Sequence, residues 1–343
     1  MHKNTINSVL AVSLGDPAGI SPEIVSKNLD LAVRICRPIV FGHWPSLRQA
    51  VEKITTDVEI DLAEKPTIPE PGHVTVVDCG PGDTPIDTPD SRASHAQWRA
   101  LEQATDAVMS GICDALVTAP VAKKLIAELR PGFSGHTEYL AKRARVSAKD
   151  VTMVFASLDL VVGLVSTHLP MRDAPSALSR PRLERTTRHL VELLARLKPD
   201  HPPRIGVAAL NPHAGENGLI GTEEIEIIEP FCRDLERNSG IELVGPLPAD
   251  ALFRDALQGE YDGVVAAYHD QAMIPLRLLG VGRTVNVTMG LPFVRTSPDH
   301  GVAYDIARTG AANPAGMRLA LELGAKLTGG FERSLSIDDS SKQ

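Results

Sequence analysis

The absences in this 343-residue chain narrow its function before any motif is read. It has four cysteines, Cys36, Cys79, Cys113 and Cys232, far apart and without a Cys-x-x-Cys pair. That spacing argues against a cysteine-based zinc centre or a disulfide framework and suits a reducing, cytoplasmic setting. No apolar run approaches the roughly 18 residues of a membrane span. The first such run, Val9–Leu14, is too short for a secretory signal segment. Basic excess is also absent. The formal charge of −8 argues against nucleic-acid and polybasic membrane partners, while leaving room for a small basic pocket that takes an anionic metabolite. No Gly-x-Gly-x-x-Gly follows a strand pattern. Leu14-Gly15-Asp16-Pro17-Ala18-Gly19 does follow one, but its glycine spacing is wrong, so the standard dinucleotide fingerprint is missing. Internal repeats and low-complexity blocks are missing too.

What remains is an ordinary globular composition, long enough for two domains or one large α/β unit. Short apolar runs rich in Val, Ile and Ala predict strands at Val9–Leu14, Pro38–Phe41, Val74–Val77, Ala115–Thr118, Val151–Ala156, Val161–Ser166, Ile205–Leu210, Glu242–Gly245, Gly263–Ala267 and Val285–Thr288. Most are apolar throughout rather than alternating, as parallel strands covered on both faces require. Helical spacing appears over His95–Met109, Arg182–Leu197 and Thr222–Arg237, the last opening on Thr222 as N-cap with acidic residues in its first turns. Ala63–Gly82 reads as a loop with one embedded strand. The alternation predicts an α/β architecture with largely parallel sheets.

Three histidines share one context. His168 follows LVVGLVST, His213 follows IGVAALNP, and His269 follows GVVAAY, each just past a predicted strand. In a parallel sheet those ends lie on one edge, where ligands bind. One such histidine reads as a loop residue. Three converging imidazoles suit a divalent transition metal with positions open to substrate. Asp250 follows another strand, either as a helix cap or as a group near that metal.

A second set suits an anion. Ser134-Gly135-His136-Thr137-Glu138 opens a helix-like stretch, where backbone N–H groups, His136 and Thr137 are able to donate to a phosphate; by position alone the plain helix cap is the favoured reading. Arg277, Asn286 and Arg295 cluster around the run Val285–Thr288, and arginine offers a fork matched to phosphate or carboxylate. Arg295 sits between apolar residues and a Ser-Pro turn rather than on a solvated helix face. Asn217, Gly218 and Gly221 form a glycine-bearing turn able to cradle a pyrophosphate, although Glu223 and Glu224 oppose direct phosphate contact there.

The segments GDPAGISPE, LVTAPVAK, SGHTEYLA, NPHAGENGLIGTEE, GPLPAD, AYHDQ and NVTMGLPFVRTSPDHGVAYDIA occur in this order. Together they resemble the 4-hydroxythreonine-4-phosphate dehydrogenase family of vitamin B6 (pyridoxine and pyridoxal phosphate) biosynthesis, over about residues 9 to 330. The resemblance implies two α/β/α lobes with largely parallel sheets and an interlobe cleft, as in isocitrate and isopropylmalate dehydrogenases. Residues 1–135 plus about 290–343 would form the first lobe and about 136–289 the second. It implies a homodimer with site residues near the interface, and NAD or NADP bound without the usual glycine motif. It implies a divalent metal (zinc, or magnesium, cobalt or manganese) on His168, His213 and His269. Substrate contacts fall on His136, Thr137, Arg277, Asn286 and Arg295, and Asp250 falls near the metal.

The implied chemistry is oxidation of a secondary alcohol in 4-hydroxythreonine 4-phosphate or a related four-carbon hydroxy-acid phosphate, followed by decarboxylation of the β-keto acid. Asp250, Lys123 or a water takes the proton. Three departures bear on the substrate. Arg277 stands where the family usually has lysine, Ile20-Ser21-Pro22-Glu23 loses a glycine, and Ala122 replaces a usual asparagine. Sister branches oxidise D-threonate or D-erythronate 4-phosphate, and a further relative oxidises the cis-dihydrodiol of terephthalate. From another class, a metal-dependent hydrolase or lyase would use the three histidines without a nicotinamide, and a non-catalytic binding protein would show no turnover.

Overall fold

A computed structural model describes residues 8–329 apart from 85, 86, 240 and 281. The apolar runs form strands β1 (Val9–Ser13), β2 (Arg37–Gly42), β3 (Glu59–Ala63), β4 (His73–Asp78), β5 (Ala115–Thr118), β6 (Thr152–Ala156), β7 (Val161–Leu164), β8 (Arg204–Ala208), β9 (Glu242–Leu247), β10 (Gly263–Ala266), β11 (Val285–Met289) and β12 (Val294–Pro298). Two compact units result, Met1–Ala148 with Leu291–Gln343, and Lys149–Gly290.

In the first unit the sheet order is β3-β4-β2-β1-β5-β12, with every neighbour parallel. Its central strands are buried from end to end, which is why they read as continuous apolar runs. The helix Ser91–Met109 covers one face, burying Ala93, Ala96, Trp98, Ala100, Leu101, Ala104 and Val108. Asp90 caps it, accepting from the backbone N–H groups of Arg92 and Ala93. The helix His136–Arg143 belongs to this unit, so the first crossing falls at 148/149 and not at the expected 135/136. The physical reason is packing: Leu140 is fully buried with Val9, Phe41, Val108 and Leu116, and Tyr139 lies against the same cluster.

In the second unit the order is β11-β6-β7-β10-β8-β9. β6 runs antiparallel to both β11 and β7, and the remaining pairs are parallel. The helix Arg180–Leu197 buries Leu183, Leu190, Leu193 and Leu194, along with His189.

His189 is 2% exposed, with Nδ1 2.9 Å from the Thr152 hydroxyl. Burial pulls its pKa from 6.5 down to about 4, with Arg188 adding to the shift. The folded state therefore disfavours the protonated ring. The stability tied to the neutral form is fully present above about pH 6.5 and is lost as pH falls toward 4, with a ceiling of about 3 kcal/mol. Denaturant titrations from pH 7 to pH 4 should show this loss. His189→Gln should flatten the acid limb, and an unchanged limb would show that the ring does not carry it.

Two strands lie outside the sequence expectation. β3 is a mostly exposed edge strand, and β12 is a buried parallel strand made of Val294-Arg295-Thr296-Ser297-Pro298. No helix among the described residues is long and apolar enough to cross a membrane. All four cysteines are free and buried; loss of solvation raises every thiol pKa, to about 12 for Cys79, Cys113 and Cys232.

Candidate functional site

In the second unit, β7, β10 and β8 are adjacent and parallel, so the loops after them leave from one edge. Pairing continues past the β7 and β10 ends: Val165 N donates to Ala266 O (2.9 Å), and Ser166 donates from both N (3.2 Å) and Oγ (2.8 Å) to Ala267 O. This carries His168 and His269 toward each other, with ring centroids 5.6 Å apart and planes tilted by 44°. A pocket of about 440 Å³ opens there, lined among others by Ser166, Thr167, His168, Tyr268, His269 and Asp270. Asp270 Oδ1 lies 2.7 Å from His269 Nδ1. An ionised carboxylate only accepts, so Nδ1 carries the proton and Nε2 keeps the lone pair a metal needs. Gln271 fixes the edge from below. Its Oε1 accepts from Ala267 N and its Nε2 donates to Ala209 O, both at 2.7 Å, joining the ends of β10 and β8.

The loop after β8 has an unusual backbone. His213, Ala214, Gly215, Glu216 and Asn217 are all left-handed, with φ of 52°, 52°, 76°, 45° and 56°. For each non-glycine residue this costs about 1 kcal/mol or more, so surrounding contacts must hold the turn. Glu224 supplies them. It is 2% exposed and accepts from the backbone N–H of Asn211 (2.8 Å) and its side-chain amide (2.9 Å); Glu223 takes a second bond from that amide at 2.7 Å. A Cβ at Gly215 would lie 2.7 Å from Glu224 Oε2, which explains the glycine. Reaching back in this way, Glu224 opens a π-helical turn, Glu224–Ile228, ahead of the α-helix Glu229–Ser239. The expected Thr222 cap makes no such bond, and the residue at the cap position is Glu223. Glu224→Ala should therefore release the left-handed turn at a cost of about 1–3 kcal/mol. Hydrogen exchange should rise across 211–221 first, and unchanged protection there would refute the assignment.

Among the described residues, no three His, Cys, Asp or Glu side chains converge closely enough to hold one ion. The expected trio is thus gathered only in part within one chain: His168 and His269 meet, while His213 is exposed on the left-handed turn. The donor chemistry fits a divalent ion, with imidazole rings and a carboxylate behind one of them, but the set is incomplete.

Asp250 is exposed in the first turn of the helix Ala249–Leu257, and the N-cap position belongs to Pro248. Arg277 lies exposed in the last turn of the helix His269–Leu278. Asn286 lies on β11, and its buried Oδ1 has no hydrogen-bond partner. Asn217, Gly218 and Gly221 serve the left-handed turn and its exit. A Cβ at Gly221 would lie 2.3 Å from the Asn211 amide, and carboxylates 216, 223 and 224 surround the segment.

The first unit brings the anion residues together. Arg295, 3% exposed on β12, donates from Nη2 to Thr118 Oγ1 at the end of β5 (2.7 Å). Burial draws its pKa down to about 10, which still leaves it cationic at neutral pH. His136 opens the helix His136–Arg143 with Thr137 next in line. Burial, then the charges of Arg295 and Lys123, hold the His136 pKa well below the ordinary imidazole value. It is a neutral ring whose buried Nε2 has no partner. Lys123 begins the helix Lys123–Leu129, and its Nζ would stand 3.7 Å from a Cβ at Gly135. A fixed guanidinium, a neutral imidazole, a helix N-terminus and a lysine are donors whose chemistry suits an anion. Sequence inspection missed Thr118, Gln271 and Glu224. Each lay inside a quoted motif, but a side chain that works through buried backbone bonds has no pattern of its own.

An α/β fold of this kind, with an anion-suited donor set in one unit and an imidazole edge in the other and no glycine-rich fingerprint, is shared with relatives named as dehydrogenases, oxidoreductases acting on a CH–OH group. The sequence profile of pyridoxal phosphate biosynthetic protein PdxA matches residues 34–324, and the chain belongs to this family. The D-threonate 4-phosphate dehydrogenase of Pectobacterium atrosepticum is 38% identical over 334 residues, covering 94% of this chain and 100% of that protein. The 4-hydroxythreonine-4-phosphate dehydrogenase of Marinobacter nauticus is 40% identical over 322 residues, covering 93% and 95%. The crystal structure of the 4-hydroxythreonine-4-phosphate dehydrogenase of Klebsiella pneumoniae superposes with a TM-score of 0.79 at 36% identity, covering 94% of this chain and 99% of that one.

Proposed function

We propose that the chain is an NAD(P)- and divalent-metal-dependent dehydrogenase that oxidises 4-hydroxythreonine 4-phosphate or a closely related four-carbon hydroxy-acid phosphate. The observation that carries this is the buried Arg295–Thr118 pair beside a neutral His136, a cationic receptor for a terminal phosphate. Thr137, Asn286 and Arg277 add donors that orient the substrate, which alone is worth several kcal/mol of a barrier. His168, His213 and His269 hold the metal. When bound, the metal supplies Lewis acidity at the substrate hydroxyl and the nicotinamide accepts hydride. Asp250, exposed on the same unit as the histidines, takes the hydroxyl proton, while Lys123 stands with the phosphate set. The β-keto acid product then loses its carboxylate as carbon dioxide.

The exposed apolar residues of the second unit support a homodimer. Leu219 (85% exposed), Leu278 (82%), Ile274 (63%) and Ile225 (47%) offer apolar surface for a second copy. The free, buried cysteines support a cytoplasmic setting. A second reading, D-threonate 4-phosphate oxidation, is favoured by the Pectobacterium relative.

The test is nicotinamide reduction, with NAD and with NADP, against 4-hydroxythreonine 4-phosphate, D-threonate 4-phosphate, D-erythronate 4-phosphate and the terephthalate dihydrodiol. Turnover of a phosphorylated four-carbon substrate supports the proposal. Turnover of the dihydrodiol alone, or none with metal restored, overturns it.

A further inference from the structure

The inner face of the helix Ser91–Met109 carries a glutamine that its packing does not call for. Ser94 and Thr105, also buried there, turn their hydroxyls back to carbonyls of their own helix, those of Asp90 and Leu101. Gln97 instead reaches out. It is fully buried, and its Oε1 accepts from Ala122 N at 2.8 Å, twenty-five residues along the chain. Its Nε2 is buried near Asp16 and completes no hydrogen bond. Burying an amide is costly unless both ends are bonded, and one end here is not. Ala122 is only partly buried, so water could serve its N–H as well. The fold alone would be met by an apolar side chain at 97.

The bond falls at a sensitive place. Upstream, the segment after β5 is already held to β1 and its loop: Ala119 N donates to Ser13 O (2.9 Å), and Pro120 O accepts from Asp16 N and Ser21 Oγ (both 2.9 Å). Ala122 is the cap position of the helix Lys123–Leu129 and supplies no side-chain cap. Gln97 thus anchors the backbone immediately before Lys123. A lysine is a point charge on a flexible stem, so the reach of its ammonium is set by where its backbone starts. From that start Lys123 brings Nζ beside Gly135, and its charge acts on His136. The neighbouring Trp98 supports the other partner: it packs edge-on against Phe133 (6.0 Å) and Tyr139 (5.0 Å), and Phe133 lies 6.5 Å from the His136 ring. Consecutive residues of one helix therefore underlie both the lysine and the histidine.

We propose that Gln97 is a positioning residue for the phosphate: through Ala122 it fixes the start of the Lys123 helix, so that the ammonium is delivered beside His136. This rests on the reading of that donor set as a phosphate receptor.

The experiment is calorimetric titration of inorganic phosphate into the full chain, Gln97→Met, Lys123→Ala and the double variant. Methionine keeps the length of the side chain and offers no comparable acceptor. Gln97→Met should weaken phosphate about fivefold and Lys123→Ala about tenfold. The double variant should bind no worse than Lys123→Ala, because removing the lysine removes what Gln97 positions. Gln97→Asn, polar but one methylene short of Ala122, should match Gln97→Met and guards against a packing effect of methionine. With a phosphorylated substrate, KM should rise by the same factor while kcat holds within about twofold, a split that general loosening of the fold would not produce. Unchanged phosphate affinity in both Gln97 variants, losses that multiply in the double variant, or failure of both Gln97 variants to fold overturns the proposal. If the unaltered chain takes up no phosphate, the receptor reading itself fails and the proposal falls with it. If phosphate follows the expected cycle but no substrate reduces NAD, the positioning stands and the proposed reaction fails.

Discussion

His213→Ala is expected to abolish bound divalent metal and turnover together. Lewis-acid stabilisation of a developing alkoxide is worth several kcal/mol, so kcat should fall on the order of 10³-fold or more. The expectation has a structural reason beyond ligand loss. His213 is the group carried by a backbone that no ordinary sequence adopts, five consecutive left-handed residues held by Glu224. Strain of that kind is retained where it aims something. Metal content by elemental analysis and single-turnover rates should drop in parallel, with little change in the cooperative melting of the exposed site. Full activity in the variant, or normal metal content without activity, would remove His213 from the metal set.

Arg295→Ala should act on binding. Removing one partner of a buried, hydrogen-bonded charge costs about 2–5 kcal/mol, so KM for a phosphorylated substrate should rise at least roughly thirtyfold. Arg295→Lys keeps the charge but loses the Nη2 bond to Thr118 and the planar fork, and should fall between wild type and the alanine variant. The pattern to look for is a KM effect that shrinks for a substrate without phosphate. An equal loss for both substrates would mean that Arg295 holds up β12 rather than the phosphate.

The sheets were largely legible because their strands are buried on both faces and therefore apolar throughout, as at Ala115–Thr118. β12 escaped because its interior positions are Arg295, Thr296 and Ser297, polar groups made tolerable by local bonds such as Thr296 Oγ1 to Ala320 O (2.7 Å). β3 escaped for the opposite reason, since an exposed edge strand has no apolar run. Among the site residues, the placement of the three histidines beyond strand ends was readable, because parallel neighbours share an edge. Which of them meet was not. The backbone that carries His213 is set by left-handed dihedrals that depend on Glu224, thirteen residues from Asn211 along the chain. The helix His136–Arg143 was assigned to the wrong unit for a similar reason: which core Leu140 enters is decided by residues distant in sequence.

The buried, strongly undissociated thiols have a practical consequence. Cys36, Cys79, Cys113 and Cys232 present almost no thiolate and little access, so maleimides and mild oxidants should leave the native enzyme untouched. A single cysteine engineered at an exposed position such as Lys53 would then accept a fluorophore against a silent background, giving a site-specific optical probe of the first unit.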